Sequence, residues 1–243
     1  MKHTVIKFDI LLVTYNRPKL LKHTLDCLSM QTYKNFVVHL VDNGSSPPVD
    51  QNSLPDDLDI IFTRFESNQN PSDAGQAGLK NTKGTHFLWI ADDDVLVTSA
   101  LQIIADFFEN DSAIEAISSG FSKFDHENHI PLSNKTYLSS FMRTIQKVDA
   151  FQAGLGYCNS WGIGKLAHYP LPRMSHSSAF FFSQSLIERT VRKQGELLIK
   201  PFSDVGFVGC CFNTKNLYYL DLPLVILGES KFKEMHGLLP GNT

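Results

Sequence analysis

The sequence predicts an α/β fold in which a mostly parallel central sheet is flanked by helices. First, short apolar runs alternate along the first half of the chain with segments whose leucines recur at helical spacing, a pattern typical of strand–helix–strand units. Second, several of these runs end in polar clusters, and such sheets bind ligands at the carboxyl ends of their strands. Third, 243 residues with 42% hydrophobic content fit one large domain with a sizeable core.

The predicted elements follow one another closely. Strands are expected at residues 8–13, 36–41, 59–64, 86–91 and 114–118. Helices are expected at residues 19–30 and 98–109, with a weaker one ending near residue 81. Beyond residue 120 the pattern is less regular, with a strand leading into a helix at 179–192 and late strands at 217–220 and 224–227. No linker divides the chain, so we expect one domain over residues 1–243.

Charge and composition exclude several classes of protein. The formal net charge is -3 and no basic patch is visible, so no binding of nucleic acid is expected. The sequence holds no apolar run of the roughly 18 residues that a membrane span needs, and no apolar signal-peptide segment. The four cysteines have no CxxC or zinc-like spacing, which predicts reduced thiols. We expect a cytoplasmic protein without a transmembrane segment, which could still contact a membrane peripherally.

Polar clusters follow three of the predicted strands. Because the carboxyl ends of parallel strands meet at one edge of a sheet, these clusters are expected to form one site. They are Thr14-Tyr15-Asn16 after the first strand, Asp42-Asn43 after the second and Asp92-Asp93-Asp94 after the fourth.

The acidic triplet Asp92-Asp93-Asp94 predicts a metal site. Three adjacent carboxylates beside a buried strand repel one another, and a divalent cation relieves that repulsion. In an extended segment alternate residues share a face, so Asp92 and Asp94 are expected together and Asp93 on the other side. Carboxylate oxygens suit Mn²⁺ or Mg²⁺, which also bind diphosphates. The alternative is a solvated turn that caps the next helix, but the apolar residues 87–90 directly before the triplet favour the metal site.

The order and spacing of these clusters resemble the inverting glycosyltransferases of family 2, whose fold is called GT-A. The resemblance rests on residues 14–17 (Thr-Tyr-Asn-Arg), 41–46 (Val-Asp-Asn-Gly-Ser-Ser) and 89–94 (Trp-Ile-Ala-Asp-Asp-Asp). The triplet is most similar to the galactofuranosyl- and rhamnosyltransferase branches. The resemblance implies a Rossmann-like nucleotide-binding half, here residues 1–120, and an acceptor-binding half, here residues 121–243.

The family also implies roles for the polar residues at this edge. In the family the loop after the first strand and the aspartate after the second contact the nucleotide, here Thr14, Tyr15, Asn16, Arg17 and Asp42. The acidic motif implies that Asp92 and Asp93 contact the donor and that Asp92 and Asp94 bind the metal. Arg64, at the end of the third strand, either approaches the base or phosphate or is a surface arginine.

The stretch 68–78 has the length of the family's donor loop but departs from its pattern. Asn70 stands in place of a glycine, which is tolerable because asparagine also adopts positive φ. Gln76 and Ala77 replace the usual asparagine and basic residue, so donor contacts from this loop stay open.

The catalytic base is expected in the second half. Inverting transfer needs a carboxylate that takes the proton of the attacking hydroxyl. Residues 201–207 (Pro-Phe-Ser-Asp-Val-Gly-Phe) resemble the family's catalytic loop, and Asp204 aligns with the base. Ser203 and Gly206 replace two neighbouring acids of that loop. Asp204 is therefore expected to be the base, with a helix cap or a surface acid as the alternative.

A histidine farther along the chain completes the metal site in related enzymes. At the corresponding place stand Gly228 and Glu229, and His236 follows a few residues later. Either His236 reaches the metal from a longer loop or this ligand is missing.

The predicted function is metal-assisted, inverting transfer of a sugar from a nucleotide donor, by default a UDP-sugar, to a glycan or lipid-linked saccharide. A domain that binds nucleotide sugars without turnover stays open, because of the substitutions at residues 70, 76, 203 and 228. A nucleotidyltransferase or a dinucleotide dehydrogenase is disfavoured, because neither type of glycine-rich loop follows the first strand. Aromatic and polar side chains usually hold a sugar acceptor, and the candidates are Tyr157, Trp161, Tyr169 and His176.

Overall fold

Strands and helices alternate along the first half of the chain, as predicted. The computed structural model describes residues 5–126, 130–131, 145–150, 153–154, 176–200 and 205–229. The strands are β1 (Phe8–Thr14), β2 (Phe36–Asp42), β3 (Ile60–Arg64), β4 (His86–Ala91), β5 (Val95–Leu96), β6 (Ala116–Asp125), β7 (Ile130–Pro131), β8 (Ile145–Val148), β9 (Phe180–Ser183) and β10 (Leu217–Glu229). The α-helices are α1 (Pro18–Ser29), α2 (Pro71–Leu79), α3 (Ala100–Asn110), α4 (Gln184–Gln194) and α5 (Val205–Asn213).

One sheet joins the described strands. Their spatial order is β3–β2–β1–β4–β9–β6–β10–β5, with β7 beside β6 and β8 beside β10. The first four strands of this order are parallel. Strand β9 runs antiparallel between β4 and β6, β6 and β10 are parallel, and β5 is antiparallel to β10. The predicted α/β fold is confirmed, with β9 as an antiparallel insertion in the sheet.

The register of the parallel strands brings their carboxyl ends level. Thr14 at the end of β1 pairs with Asp42 at the end of β2, and Asp42 pairs with Arg64 at the end of β3. Val13 pairs with Ala91, the residue before the acidic triplet. The three polar clusters therefore lie at one edge of the sheet.

Apolar side chains cover both faces of the sheet. On one face, α1 and α3 contribute buried residues such as Leu25 and Ile104. On the other face, the ring of Phe182 stacks between those of Phe180 and Phe207, with centroids 5.5 and 5.6 Å away. Alternate residues of β1 belong to the two clusters, as the period of two in a strand requires.

The later elements differ most from the prediction. The strand predicted at 114–118 begins at Ala116 and extends to Asp125. The two late strands are one strand, β10, whose pairing with β6 shifts on both sides of Pro223. Proline has no N–H to give to a sheet, so the strand bulges there instead of ending. The helix predicted from residue 98 begins at Ala100, whose N–H donates to Val97 O at 2.8 Å.

Within the described ranges, no helix is both long and apolar enough to cross a membrane. The sheet includes strands from residues 1–120 and from residues 121–243. The assignment of these halves to one domain, with separate nucleotide and acceptor roles, stays a prediction.

Candidate functional site

Hydrogen bonds join the polar loops at the carboxyl edge of the sheet. Thr14 Oγ1 donates to Asp92 Oδ2 at 2.8 Å. The N–H of Asn16 donates to Ser45 Oγ at 2.9 Å, and the N–H of Ser46 donates to Asn16 Oδ1 at 2.7 Å. Asn16 has a φ of 54°, in the left-handed region that asparagine tolerates. The predicted convergence of the three clusters is therefore observed, with Tyr15 half-buried among them.

The acidic triplet forms a turn and not an extended segment. The N–H of Asp94 donates to Ala91 O at 3.1 Å, which closes the turn. Thr24 Oγ1, on α1, lies 2.9 Å from both Asp92 O and Asp94 O. The expectation that Asp92 and Asp94 share a face assumed an extended backbone. The observed turn shows that this assumption is wrong.

The three carboxylates divide between two sets of partners. Arg17 Nη1 lies 3.0 Å from Asp92 Oδ1 and 3.3 Å from Asp93 Oδ2, so these two acids share one guanidinium. Asp94 faces the other way. Its Oδ1 accepts from the N–H of Gly228 at 2.9 Å, and its Oδ2 accepts from Ser178 Oγ at 2.5 Å. Asp94 thus connects the triplet to residues of the second half of the chain.

The electrostatics of the triplet fit a divalent cation. Burial raises the pKa of Asp92 to about 6, against the opposing effect of Arg17, and burial together with the charge of Asp93 raises the pKa of Asp94 to about 7. Ionising these two buried carboxylates is therefore unfavourable, and a bound cation would favour their charged forms. Oxygen donors of this kind suit Mn²⁺ or Mg²⁺. In the described part of the chain no group of three or more acidic, histidine or cysteine side chains is arranged to hold a metal ion by itself.

Raised carboxyl pKa values predict that the metal-free protein loses stability as pH rises. Between about pH 4 and 7 the folded state holds protons that the unfolded state has lost. This stabilisation is complete below the unfolded value of 3.8 and is lost as pH rises through about 6 for Asp92 and about 7 for Asp94. We compare the free energies of unfolding of the wild type and of Asp94→Asn, both in EDTA. Between about pH 4.5 and 8 the wild type should lose on the order of 2–4 kcal/mol more than the variant does. Urea denaturation across this range measures it, and a pH-independent difference would contradict the raised pKa of Asp94.

Asp42 and Arg64 form a partly buried ion pair beside the first loop. Asp42 is fully buried, and its carboxylate accepts from Arg64 Nη1 and from the N–H groups of Ser45 and Val49 at 2.8 and 3.1 Å. Burial alone would raise the pKa of Asp42, but the hydrogen bonds from Ser45, Val49 and Arg64 hold it below its usual value. Arg64 Nη2 also donates to Ser45 O at 3.2 Å. Arg64 is therefore part of this edge and not an isolated surface arginine.

Comparison with known proteins identifies the family. The family model described as glycosyl transferase family 2 matches residues 9–167, more than half of the chain. The chain belongs to glycosyl transferase family 2. An uncharacterized glycosyltransferase of Rickettsia prowazekii is 27% identical over 124 residues, which are 50% of this chain and 38% of that protein. The uncharacterized glycosyltransferase YwdF of Bacillus subtilis is 26% identical over 140 residues, 54% of this chain and 50% of that protein. The chain thus spans half or less of the length of these two relatives.

Solved glycosyltransferases share the fold. The structure of S. aureus TarS in complex with UDP-GlcNAc aligns with a TM-score of 0.68 at 18% identity, covering 97% of this chain and 62% of that chain. The mannosyltransferase PcManGT of Pyrobaculum calidifontis, in complex with GDP-Man and Mn²⁺, aligns with a TM-score of 0.59 at 14% identity, covering 95% and 59%. At such identities the likeness shows the fold alone, which is GT-A.

Residues 68–78 depart from the family 2 pattern for a structural reason. Asn70 has a φ of -56°, and its side chain caps α2 by accepting from the N–H of Ser72 at 2.9 Å. The expectation of positive φ at this position is therefore wrong. Asn43, to which sequence reasoning assigned no separate role, fixes the loop instead. Its side chain donates to Asn68 Oδ1 at 2.8 Å and accepts from the N–H of Gln69 at 3.0 Å.

Gly228 and Glu229 stand where the resemblance to related enzymes leads us to expect a metal-binding histidine. A Cβ atom on Gly228 would lie 2.0 Å from Asp93 O, so the close approach of β10 to the triplet excludes any side chain. Two other histidines lie nearby. His126 Nε2 donates to Asp93 O at 2.9 Å, and His176 Nδ1 lies 3.8 Å from Asp94 Oδ2. The sequence placed His176 only among acceptor candidates, and no spacing in it pointed to His126.

The remaining predicted residues cannot be placed. Asp204, Ser203 and His236 lie outside the described residues, as do the acceptor candidates Tyr157, Trp161 and Tyr169. Gly206 is described, and a Cβ there would lie 1.5 Å from Leu197 O. The backbone therefore leaves no room for the acid that the family carries at this position.

The contact at Gly206 predicts that Gly206→Ala is strongly destabilising. The backbone of Leu197 cannot yield as a side chain would, so we expect a loss on the order of 3–5 kcal/mol in the free energy of unfolding. Gly209→Ala on the same helix is the control, because the atoms nearest to its Cβ would be those at the flexible end of the Gln194 side chain. Thermal melting compares the two, and equal stability of both variants would contradict the close packing of α5.

Proposed function

We propose that this chain transfers a sugar from a nucleoside-diphosphate donor, by default a UDP-sugar, to a hydroxyl group with inversion at the anomeric carbon. One observation carries the proposal. A buried acidic triplet, a guanidinium and the loop of Thr14 meet at the carboxyl edge of a parallel sheet, where open α/β sheets bind nucleotides. Membership of glycosyl transferase family 2 supports the reaction class.

The nucleotide would lie over the loops after β1, β2 and β3. Tyr15 and Asn16 offer an aromatic face and an amide there. Asp42 is fully buried, with its oxygens already accepting from the chain. In this arrangement Asp42 would act on the nucleotide through Arg64, whose side chain it holds in place and which is 27% exposed. Arg64 would then supply positive charge or hydrogen bonds to the base or the phosphates.

The diphosphate would lie against the triplet and Arg17. Asp92 and Asp94 are the residues that would hold Mn²⁺ or Mg²⁺, with His236 as a further proposed ligand, and Asp93 would contact the donor. The cation would supply charge neutralisation for the diphosphate leaving group. Arg17 contacts two of these acids, so on binding it would be able to turn from the carboxylates to the phosphate oxygens. Its planar guanidinium suits bidentate phosphate contacts.

The acceptor would react on the side of the second half. Its hydroxyl oxygen attacks the anomeric carbon while the bond from that carbon to the phosphate oxygen breaks, and the nucleoside diphosphate leaves with the electron pair. The hydroxyl proton passes to the carboxylate of Asp204, the proposed general base. A single displacement of this kind inverts the anomeric configuration and needs no protein nucleophile.

The donor and acceptor classes are proposed from different sources. A structural neighbour binds UDP-GlcNAc and another binds GDP-Man with Mn²⁺, which supports a nucleotide-sugar donor and a divalent metal. A glycan or lipid-linked saccharide is the proposed acceptor, with a cytoplasmic location and peripheral membrane contact. Nucleic acid is not expected, because the net charge is -3.

Nucleotide release with water as the acceptor tests the proposal without knowledge of the natural acceptor. UDP-, dTDP- and GDP-sugars would each be incubated with the protein and Mn²⁺ and followed by NMR. We expect release of one nucleoside diphosphate, with an α-linked donor first giving the β-anomer of the free sugar. Donor binding without any release would favour the domain that binds nucleotide sugars without turnover. Release of the α-anomer would contradict inversion.

A further inference from the structure

The hydroxyl group of Thr24 lies inside the protein against the backbone of the acidic triplet. Thr24 is in the middle of α1 and is 1% exposed. Its Oγ1 lies 2.9 Å from Asp92 O and 2.9 Å from Asp94 O. A threonine inside a helix commonly bonds to a carbonyl of its own preceding turn. Here the hydroxyl reaches another element, so its single proton is shared between the first and last carbonyls of the triplet.

Thr24 is the second of three residues, within α1 or next to it, that make polar contacts with residues 92–97. Arg17 directly precedes α1, Thr24 lies within it and Gln31 follows its end. They are spaced seven residues apart, nearly two helical turns, which directs all three toward the same side. Arg17 binds the Asp92 carboxylate at 3.0 Å. Gln31 Nε2 donates to Val97 O at 2.9 Å. The α1 region is therefore bonded to residues 92–97 both within the triplet turn and after it.

The two carbonyls that Thr24 contacts belong to residues whose carboxylates diverge. Asp92 is directed to Thr14 and Arg17, and Asp94 to Ser178 and Gly228. The direction of each carboxylate depends on the orientation of its own peptide backbone. A donor that holds both carbonyls therefore constrains the relative orientation of the two Cα–Cβ bonds from which these carboxylates project.

We propose that Thr24 is a positioning residue for the donor site, which sets the turn of the triplet backbone through its hydroxyl group. The inference rests on the proposed function, because it assigns the turn a role in binding Mn²⁺ and the diphosphate. Thr24→Val keeps the shape of the side chain and removes only the donor. Both buried carbonyls then lose their partner, and the turn relaxes toward other geometries.

Calorimetric titration of UDP with Mn²⁺ into matched variants tests this role. Supporting contacts of this type change metal affinity by about 10–100-fold, so we expect Thr24→Val to weaken UDP–Mn²⁺ binding by about 10-fold. Thr24→Ser keeps the hydroxyl and should bind as the wild type does. Thr190→Val is the control, because Thr190 is a fully buried helical threonine on α4 that bonds to Asn213 and not to the triplet.

The outcomes separate the inference from the proposed function. If Thr24→Val melts at a lower temperature but binds UDP–Mn²⁺ as tightly as the wild type, its role is merely structural and the inference is overturned. If the wild type itself binds no nucleoside diphosphate with Mn²⁺, the proposed function fails and the inference fails with it. Should Thr24→Val not fold, Thr24→Ala against Thr24→Ser makes the same comparison, and equal affinities of that pair would overturn the inference.

Discussion

Asp204→Asn is expected to lower the rate of nucleotide release by roughly 10²–10⁴-fold, the range that a general base contributes. The amide cannot accept the proton of the attacking hydroxyl at neutral pH. Donor binding should be unchanged, because the residue is proposed to act on the acceptor. Single-turnover release of UDP from a UDP-sugar measures the rate, and calorimetry with UDP measures the binding.

This substitution also separates the two interpretations of Asp204. Asp204 directly precedes α5 in the chain, and asparagine caps helices about as well as aspartate does. A capping role therefore predicts nearly full activity in Asp204→Asn, whereas a catalytic role predicts its loss with no change in melting temperature. Ser203→Ala is the control at the neighbouring position and should retain activity. An Asp204→Asn variant as active as the wild type would contradict the proposal that Asp204 is the general base.

Asp92→Asn is expected to weaken the binding of UDP in the presence of Mn²⁺ by on the order of 100-fold. The asparagine side chain keeps the shape of aspartate: its amide oxygen can accept from Arg17, and its NH2 group can donate to Thr14 Oγ1. The substitution removes one negative charge from the proposed Mn²⁺ site. Because the diphosphate is proposed to bind through this cation, its affinity should fall as well. Calorimetry with UDP in Mn²⁺ and in EDTA separates metal-dependent binding from binding to the loops alone.

The control for this prediction is an acid on the adjacent helix. Asp26 lies on α1 and pairs with Lys22 at 2.7 Å on the surface, so Asp26→Asn changes the net charge equally without touching the triplet. It should bind UDP–Mn²⁺ as the wild type does. Equal affinity losses in both variants would show a general charge effect and would contradict a specific role of Asp92.

The fold and the position of the site followed from local patterns. Apolar runs such as 8–13 and 86–91 predict strands wherever they lie, and parallel strands bring their carboxyl ends together. The family was recognised because three clusters have a specific order, not because any one of them is specific. The family model confirms that recognition.

Features that depend on residues far apart in the chain were not predictable. The antiparallel insertion of β9 between β4 and β6 depends on how the second half folds back onto the first. The turn at the triplet depends on Thr24, and the absence of a side chain at residue 228 depends on Asp93 O lying 2.0 Å from where its Cβ would be. No pattern near residue 126 indicates that His126 contacts the same carbonyl.

The central claim is that the acidic triplet binds a nucleoside diphosphate together with a divalent cation. Calorimetric titration of UDP into the wild-type chain, once with Mn²⁺ and once with EDTA, tests it most directly. We expect binding in Mn²⁺ that weakens at least about 10-fold in EDTA, since the buried carboxylates would then face the diphosphate without a cation. Equal affinity in both conditions, or no binding of UDP, dTDP or GDP in either, would contradict it.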